Sequence, residues 1–280
     1  MSIAAQLFAK RESARFRLAH RLPGTQVSYH YGSEEGDLRR RVPGRDRCRN
    51  ASMWKAMSSE KILELGLHGM TAVTGLVDAV SFLSLGHVFT ANMTGNIVLL
   101  AFASAGESEL SVPRSLTALL AFLAGAALGG RIMARASGEP QIRMALVAFG
   151  VEITFLVAAT FCAIGYAASS PHSLQLYGLI ALTALAMGTR NAAVRKLAVP
   201  DLTTTVLTLT LTGLAADSFL AHGNNPRWQR RLAAVLAMFA GAALGAILLK
   251  YSVSVTLALA AATSSLCSVA LLASIFYRRS

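Results

Sequence analysis

The chain has 280 residues, with 26 lysines and arginines against 14 acidic residues and a formal net charge of +12. Hydrophobic residues make up 54% of it and charged residues only 14%, and its mean hydropathy is +0.51. Soluble domains carry about 25% charged residues. The composition therefore excludes an ordinary soluble protein and predicts an all-α integral membrane protein.

Basic residues are concentrated at the start of the chain. Residues 1–60 hold 12 Lys and Arg and 6 Asp and Glu, which leaves 14 and 8 for residues 61–280. The first part has no apolar period and no apolar core of a signal peptide, so we predict a disordered basic extension at 1–60 and a membrane domain at 61–280. Basic residues beside a first membrane segment attract anionic lipid or set orientation, and nucleic acid is not an expected partner. An alternative is that translation starts at Met53 or Met57, which would make the extension a mis-assigned start.

The membrane domain contains eight apolar stretches, and a span needs about 20 mostly apolar residues. They are 62–85, 88–106, 115–134, 143–168, 174–194, 202–220, 231–250 and 253–275. The second and sixth stretches carry too many threonines and asparagines for helices that face lipid. We therefore predict six spanning helices and two polar segments that are broken or re-entrant.

Loop charges support this count, because Lys and Arg in short loops stay on the cytoplasmic side. If all eight stretches crossed, two basic loops would lie outside. If six cross, both termini are cytoplasmic and only Arg114 and Lys250 lie outside. The cytoplasmic clusters are then Arg131, Arg135 and Arg143; Arg190, Arg195 and Lys196; Arg227, Arg230 and Arg231; and Arg278 and Arg279.

Three short matches relate residues 61–168 to residues 169–280. The sequence AGAALG at 124–129 returns at 240–245, Thr94-Gly95 corresponds to Thr212-Gly213, and GLVDA at 75–79 aligns with GTRNA at 188–192. Each half would contain three spans, and an odd number turns the second half upside down. The matches predict an inverted 3+3 repeat, with chance similarity between Ala-rich helices as the alternative.

Asp78 is the strongest candidate for a functional residue. It lies in the first predicted span on a polar helix side that also carries His68, Thr71, Thr74 and Ser81. A carboxylate costs about 2.5 to 3.5 kcal/mol at the bilayer centre, so it should face a cavity or a partner. Solute binding or ion coupling is one role, and a structural hydrogen bond to a neighbouring helix is the other.

The polar segment at 88–96 (VFTANMTGN) follows directly. Non-helical backbone at membrane depth survives only inside protein or beside water. We therefore predict a solute site at this break, with a hydrogen-bonded packing motif as the alternative. The predicted substrate-binding residues are Asp78, Asn92, Thr94, Gly95 and Asn96, with Asn191, Thr212 and Gly213 at the matching places of the second half.

Other charged and threonine-rich positions leave alternatives open. Residues 205–213 alternate Thr with apolar residues, which fits a strand, an extended piece before a short helix, or a Thr-rich helix. Glu152 is expected either to pair with a loop arginine or to couple a proton or ion. Arg190 is expected to snorkel to the interface, and Asp217 to pair with a basic neighbour such as Arg227 or Arg230.

Two pairs of glycines, each spaced by four residues, are expected to let helices approach closely. Gly125 and Gly129 lie in the third stretch, and Gly241 and Gly245 lie in the seventh. Bare ridges of this kind favour helix packing. We expect the two ridges to pack against each other across the axis of the repeat.

Enzyme motifs do not occur in the sequence. There is no glycine-rich phosphate loop, no His/Glu metal pair at one-turn spacing and no nucleophile elbow. The cysteines Cys48, Cys162 and Cys267 have neither metal nor redox spacing. We therefore expect no catalytic residue, no metal and no cofactor.

The quoted segments 75–79 and 89–96 resemble the YoaK-like family of bacterial multi-pass membrane proteins, whose function is unknown. Residues 187–192 and 204–213 resemble the second conserved block of that family. The resemblance covers about 60–278. It implies a bacterial cytoplasmic (inner) membrane protein with six helices, but it implies no reaction.

The leading functional hypothesis is a small secondary transporter or permease. The inverted duplication, the broken polar segments and the membrane carboxylate favour it. The rival hypothesis is a non-transporting membrane scaffold or accessory subunit. Expected partners are the lipid bilayer and a small solute or ion, and the sequence leaves open whether the chain forms a homo-oligomer.

Overall fold

Helices make up the part of the fold that the structure describes. A computed structural model describes residues 43–135, 141–166, 173–197, 207–225 and 227–279. These residues form eight α-helices and one 3-10 turn and contain no β-strand, so the all-α prediction is confirmed for the described part. The helices are α1 (Pro43–Ser84), α2 (Met93–Ser104), α3 (Val112–Arg135), α4 (Gln141–Cys162), α5 (Leu174–Leu197), α6 (Leu207–Ala216), α7 (Trp228–Leu248) and α8 (Val253–Arg279), with the 3-10 turn at Phe219–Ala221.

Five of these helices contain a segment long and apolar enough to cross a membrane. The segments lie in α1, α3, α4, α7 and α8: Glu64–Ser84, Val112–Arg135, Arg143–Cys162, Trp228–Leu248 and Val253–Ala273. The sequence predicted six. The missing one corresponds to α5, which has 24 residues but carries Arg190, Arg195 and Lys196.

Helix α5 is less apolar because protein surrounds it. It packs along α3 and α4, and 13 of its 24 residues are buried. A helix covered by neighbouring helices does not need the uniformly apolar surface of a lipid-facing one. Its composition is therefore suited to a position inside the bundle.

The core lies where α1, α4, α5 and α8 meet. One cluster joins Met70, Phe149, Val194 and Leu271, which come from these four helices in order. A second cluster contains buried residues from the same four helices. Residues Arg47–Ser280 form one compact unit around this core.

The two polar segments form short helices. Helix α2 has 12 residues and α6 has 10, which correspond to lengths of about 18 and 15 Å at 1.5 Å per residue. The hydrocarbon core of a bilayer is about 30 Å thick. Neither helix is long enough to cross the membrane.

Helix α6 excludes one of the alternatives for the threonine-rich segment. The strand is wrong over residues 207–213, where the backbone is helical. Thr212 Oγ1 donates to the Thr208 carbonyl at 2.9 Å, so the hydroxyls bond back to the preceding turn, as expected of a Thr-rich helix. Residues 202–206 lie outside the described residues.

The predicted disordered extension at 1–60 is partly helical. Helix α1 begins at Pro43, so residues 43–60 continue the first span backwards. Proline is favoured at a first helical position because its φ is preset and its missing N–H has no intrahelical acceptor there. Good helix formers such as Arg, Ala, Met, Lys and Glu follow. Residues 1–42 lie outside the described residues.

The glycine ridges contact other helices and not each other. Gly125 and Gly129 of α3 lie against α5, where a Cβ would overlap the carbonyl oxygens of Leu185 and Thr189. Gly188 of α5 lies in turn against the α3 backbone. The expectation that the two ridges meet each other is therefore wrong, because each ridge is occupied by a helix of the other half.

Helices α7 and α1 repeat the same contact. Gly241 lies against the Ala72 carbonyl, and Gly75 lies against the α7 backbone at Met238 and Ala242. Gly245 completes this contact beside Ala79, 2.8 Å from where its Cβ would lie.

The two glycine contacts also match by sequence position. Every α5 residue of the first contact lies 113 positions after its counterpart in α1, and every α7 residue lies 116 positions after its counterpart in α3. The corresponding pairs are Ala72 and Leu185, Gly75 and Gly188, Ala79 and Ala192, Phe122 and Met238, Gly125 and Gly241, and Gly129 and Gly245. The two halves thus contact each other twice in the same way.

Candidate functional site

The chain re-enters the bundle after α1. Helix α1 ends at Ser84, and Gly86 and His87 turn the chain with positive φ angles of 85° and 59°. The Ala91 N–H then donates to Asp78 Oδ1 at 3.3 Å. Asp78 lies six residues before the helix end, which corresponds to about 9 Å along the axis. Residues 85–92 therefore run back along α1, and α2 starts beside the interior of that helix and not at its end.

Asn96 holds this descending loop against α2. Its Oδ1 accepts from the Phe89 N–H at 2.8 Å, and its Nδ2 donates to the Phe89 carbonyl. The side chain is only 1% exposed. Phe89 also stacks on Phe82 of α1 at 5.0 Å between ring centroids. The absent side chain of Gly95 leaves room for the Phe89 ring, which lies 2.9 Å from where a Cβ would be.

A cavity of about 610 Å³ opens at the start of α2. Three parts of the chain line most of it: the residues at the break, the last turns of α5 and the first turns of α6. The lining is formed by Ala91, Asn92, Met93, Thr94 and Gly95; Asn191, Val194 and Arg195; Leu207, Thr208 and Leu211; and Phe122 and Met238. The two short helices thus contribute to one cavity although more than 100 residues separate them.

The predicted site residues divide into three groups. Asn92, Thr94, Gly95 and Asn191 line the cavity. Asp78 and Asn96 lie behind it and bond the loop backbone. The remaining two belong to the other end of α6, where Thr212 bonds within the helix and the Gly213 carbonyl accepts from Arg231 at 2.6 Å.

Arg195 and Thr208 line the cavity but were not predicted to do so. The sequence placed Arg195 in a cytoplasmic charge cluster. A usable signal was its spacing, since Arg195 follows Asn191 by four residues and therefore lies on the same helix face. Thr208 carried no comparable signal because it belongs to a run of threonines.

A fully buried ion pair lies deeper in the bundle. Arg190 Nη1 lies 3.1 Å from Glu152 Oε1, and both side chains are 0% exposed. Arg190 also donates to the Met70 carbonyl at 3.0 Å and to Thr74 Oγ1 at 2.6 Å. Ser264 Oγ donates to Glu152 Oε1 at 3.1 Å. The cluster therefore ties α1, α4, α5 and α8 together.

This pair corrects two expectations. Arg190 does not snorkel, because Glu152 balances its charge and polar atoms of α1 accept its Nη hydrogen bonds inside the protein. Glu152 pairs with this helical arginine and not with a loop arginine. Within the described residues, Glu152 Oε2 and Arg190 Nε have no hydrogen-bond partner.

Asp217 lies at the far end of α6 and pairs with Arg231 at 2.6 Å. This partner is a basic neighbour, as expected, and it is Arg231, which projects from the side of α7 that faces α6. Arg230 lies instead 3.7 Å from Glu64. The ring nitrogens of His68 lie 2.8 Å and 3.1 Å from the carbonyl oxygens of Glu64 and Arg230, so His68 joins α1 to α7.

Within the described residues, no group of three or more His, Cys, Asp or Glu side chains could hold a metal ion. The polar groups of the described cavity lining are amides, hydroxyls, backbone N–H groups and one guanidinium. These groups bind and orient solutes by hydrogen bonds and charge.

Comparison with known proteins gives a family. A model described as "Protein of unknown function (DUF1275)" matches residues 67–271, which is most of the chain. The chain belongs to this family. The match contains α2 to α7, the part of α1 from residue 67 onward and most of α8, including the cavity and the buried ion pair.

A relative in Bacillus subtilis (strain 168), the UPF0700 transmembrane protein YoaK, is 38% identical over 143 residues. The match covers 51% of this chain and 61% of that protein, so it spans less than two thirds of the relative. No solved structure matches. The predicted YoaK-like resemblance is confirmed, and the chain is a multi-pass membrane protein of a family whose function is unknown.

Proposed function

We propose that this protein is a small secondary transporter or permease and that its solute site is the 610 Å³ cavity at the start of α2 and α6. The main observation that supports the proposal is the polar lining of this cavity. Asn92, Thr94, Asn191 and Thr208 bring amides and hydroxyls to one space inside the helical bundle. Polar groups at membrane depth are retained where they face water or a solute.

The short helices support this role. Both contribute their first turns to the cavity, and both lead to the start of the next long helix. The turn before α2 contacts the start of α3, because Arg114, the third residue of α3, donates to the Gly86 carbonyl. The residue after α6 contacts the start of α7, because Arg231, the fourth residue of α7, donates to Asp217. Discontinuous helices in matching positions of two halves are typical of transporter sites.

The proposal includes an inverted 3+3 repeat with six spans. Helices α1, α3 and α4 would form the first half, and α5, α7 and α8 the second. The reciprocal glycine contacts support this assignment. Helix α5 has 24 residues, about 36 Å at 1.5 Å per residue, so it is long enough to be the sixth span.

Both termini would lie in the cytoplasm and the bilayer would be the bacterial inner membrane. With six spans, the basic residues around the α3–α4 connection, at the end of α5 and around the start of α7 lie on the cytoplasmic side, in agreement with the distribution of Lys and Arg in short loops. The matched relative comes from a bacterium and is named a transmembrane protein.

Cysteine accessibility tests the proposal. Thr94→Cys and Thr208→Cys would be made singly in a background without Cys48, Cys162 and Cys267. A membrane-impermeant thiol reagent is then added to right-side-out and to inverted vesicles. A transporter that opens alternately is expected to be labelled at both positions from both sides.

Leu120→Cys is the matched control. Leu120 lies near Phe122 on α3 but is 57% exposed on the apolar outside of the bundle, so it should stay unlabelled from either side. If Thr94→Cys and Thr208→Cys resist the reagent as Leu120→Cys does, the cavity is dry and transport is wrong. A stable complex with one partner protein would then favour the scaffold function.

A further inference from the structure

The charge of the cavity lining is unbalanced. Arg195 is the one ionisable side chain among the lining residues, and none of them is acidic. Within the described residues, no ion pair joins Arg195 to a carboxylate. The carboxylate of Asp78 lies behind the loop and accepts from the Ala91 N–H. Among the lining residues that the structure describes, the cavity therefore has a positive charge and no counter-charge.

The remaining polar groups of the lining include many hydrogen-bond donors. Asn92 and Asn191 each carry a carboxamide NH₂, and Thr94 and Thr208 each carry a hydroxyl. Asn92 makes no side-chain cap bond to α2, and the first backbone bond of that helix runs from Asn96 N to Asn92 O at 3.4 Å. The N–H groups of Met93, Thr94 and Gly95 thus have no intrahelical acceptor.

A guanidinium and several N–H and O–H donors favour a ligand that brings negative charge and acceptor oxygens. A cation would meet like charge from Arg195, and the described lining residues include no carboxylate to compensate it. We propose that the solute of this cavity is a small anion with carboxylate, phosphate or similar oxygens. This inference rests on the proposed transport function, because it assigns the substrate class of the same cavity.

Vesicle swelling tests the charge class. The protein is reconstituted in phosphatidylcholine vesicles, which are transferred into isosmotic potassium succinate, phosphate or nitrate with valinomycin, so that swelling reports anion entry. Glycerol entry and uptake of radiolabelled choline measure the neutral and cationic classes. Entry of at least one anion is expected to exceed that into protein-free vesicles.

Arg195→Gln and Lys196→Gln form a matched pair. Both side chains are exposed and both variants lose one positive charge, but only Arg195 lines the cavity. Arg195→Gln should lower anion entry about tenfold or more, as expected for the loss of a charge-assisted hydrogen bond. Lys196→Gln should leave it unchanged. Equal anion entry in Arg195→Gln and the unmodified protein would overturn the inference.

The other outcomes distinguish failure of the anionic substrate class from failure of the transport function. If glycerol or choline enters instead of anions and entry falls in Asn92→Ala and Asn191→Ala, the anion is wrong and transport stands. If none of the tested solutes enters, the anion and the transport function both fall. A lipid headgroup would replace the solute if phosphatidylglycerol stabilised the protein through Arg195 while soluble anions had no effect.

Discussion

The guanidinium of Arg190 is buried completely in the helical bundle, and its neighbours supply a counter-charge and hydrogen-bond acceptors. Glu152 balances its charge, and the Met70 carbonyl and Thr74 hydroxyl accept two of its N–H bonds. The desolvation of two charges offsets much of their attraction, so such a pair adds little net stability. Removal of one partner is costly, because the other charge then remains buried and unpaired.

Glu152→Ala is expected to lower the free energy of unfolding by about 3 to 5 kcal/mol, because Arg190 is left uncompensated. The double variant Glu152→Ala with Arg190→Met should recover much of this loss, since no buried charge remains. Thermal unfolding of the detergent-solubilised protein measures both variants.

Glu64→Ala is the control for that measurement. Glu64 is 33% exposed and lies 3.7 Å from Arg230, and exposed pairs contribute about 0 to 1 kcal/mol. A Glu152→Ala protein that unfolds at the same temperature as Glu64→Ala would show that the buried pair does not form.

Among the helices, close approach at glycine determines which pairs can contact. Helices α3 and α5 meet through Gly125, Gly129 and Gly188, and α7 and α1 meet through the matching Gly241 and Gly75. Glycine lets two helix backbones approach closely and form dispersion contacts and weak backbone contacts. These contacts matter more in lipid than in water, because burial of apolar side chains contributes little free energy to helix association in lipid. Phe122 and Met238, one from each of these contacts, line the cavity together with the first turns of α2 and α6.

Gly125→Ala and Gly241→Ala are each expected to destabilise the protein by about 1 to 3 kcal/mol, because the added methyl group overlaps the backbone of α5 or α1. Gly130→Ala is the control in the same helix as Gly125, since a Cβ there meets nothing within 4 Å. Alanine at that position should be neutral or stabilising. Thermal unfolding compares the three, and a Gly125→Ala protein as stable as Gly130→Ala would contradict this packing.

For the whole molecule, the path of α5 decides the topology. Five helices satisfy length and composition as spans, and α5 is the sixth long helix. If α5 crosses, the loops before α3 and before α7 lie on opposite sides of the membrane. If it does not cross, they lie on the same side and the C-terminus is outside.

Single cysteines at Ser108 and Asn224 distinguish these topologies. Both residues are exposed in loops. An impermeant thiol reagent added to intact cells is expected to label Ser108→Cys, whereas Asn224→Cys should be labelled only after the membrane is permeabilised. Labelling of Asn224→Cys in intact cells would contradict the six-span topology and the cytoplasmic termini.

The amino-acid sequence by itself determined the class of the protein, its all-α architecture, its family and the position of its two short polar segments. Hydropathy and helix length are local properties, so they can be read along the chain. The motif at 75–79 and 89–96 identified the family without any knowledge of contacts. Asn92, Thr94, Gly95 and Asn191 were also found as candidates by type and spacing.

Only the tertiary structure decided which residues meet. Arg190 and Glu152 are 38 positions apart, and neither residue's local sequence distinguishes a buried pair from two interfacial charges. In the same way, Asp78 and Asn96 were assigned to the site by their polarity, but hydrogen bonds to the Ala91 and Phe89 backbone place them behind it. Arg195 lines the cavity because the last turns of α5 and the first turns of α6 border the same space. Side-chain roles depend on neighbours from distant segments, and packing of the helices selects those neighbours.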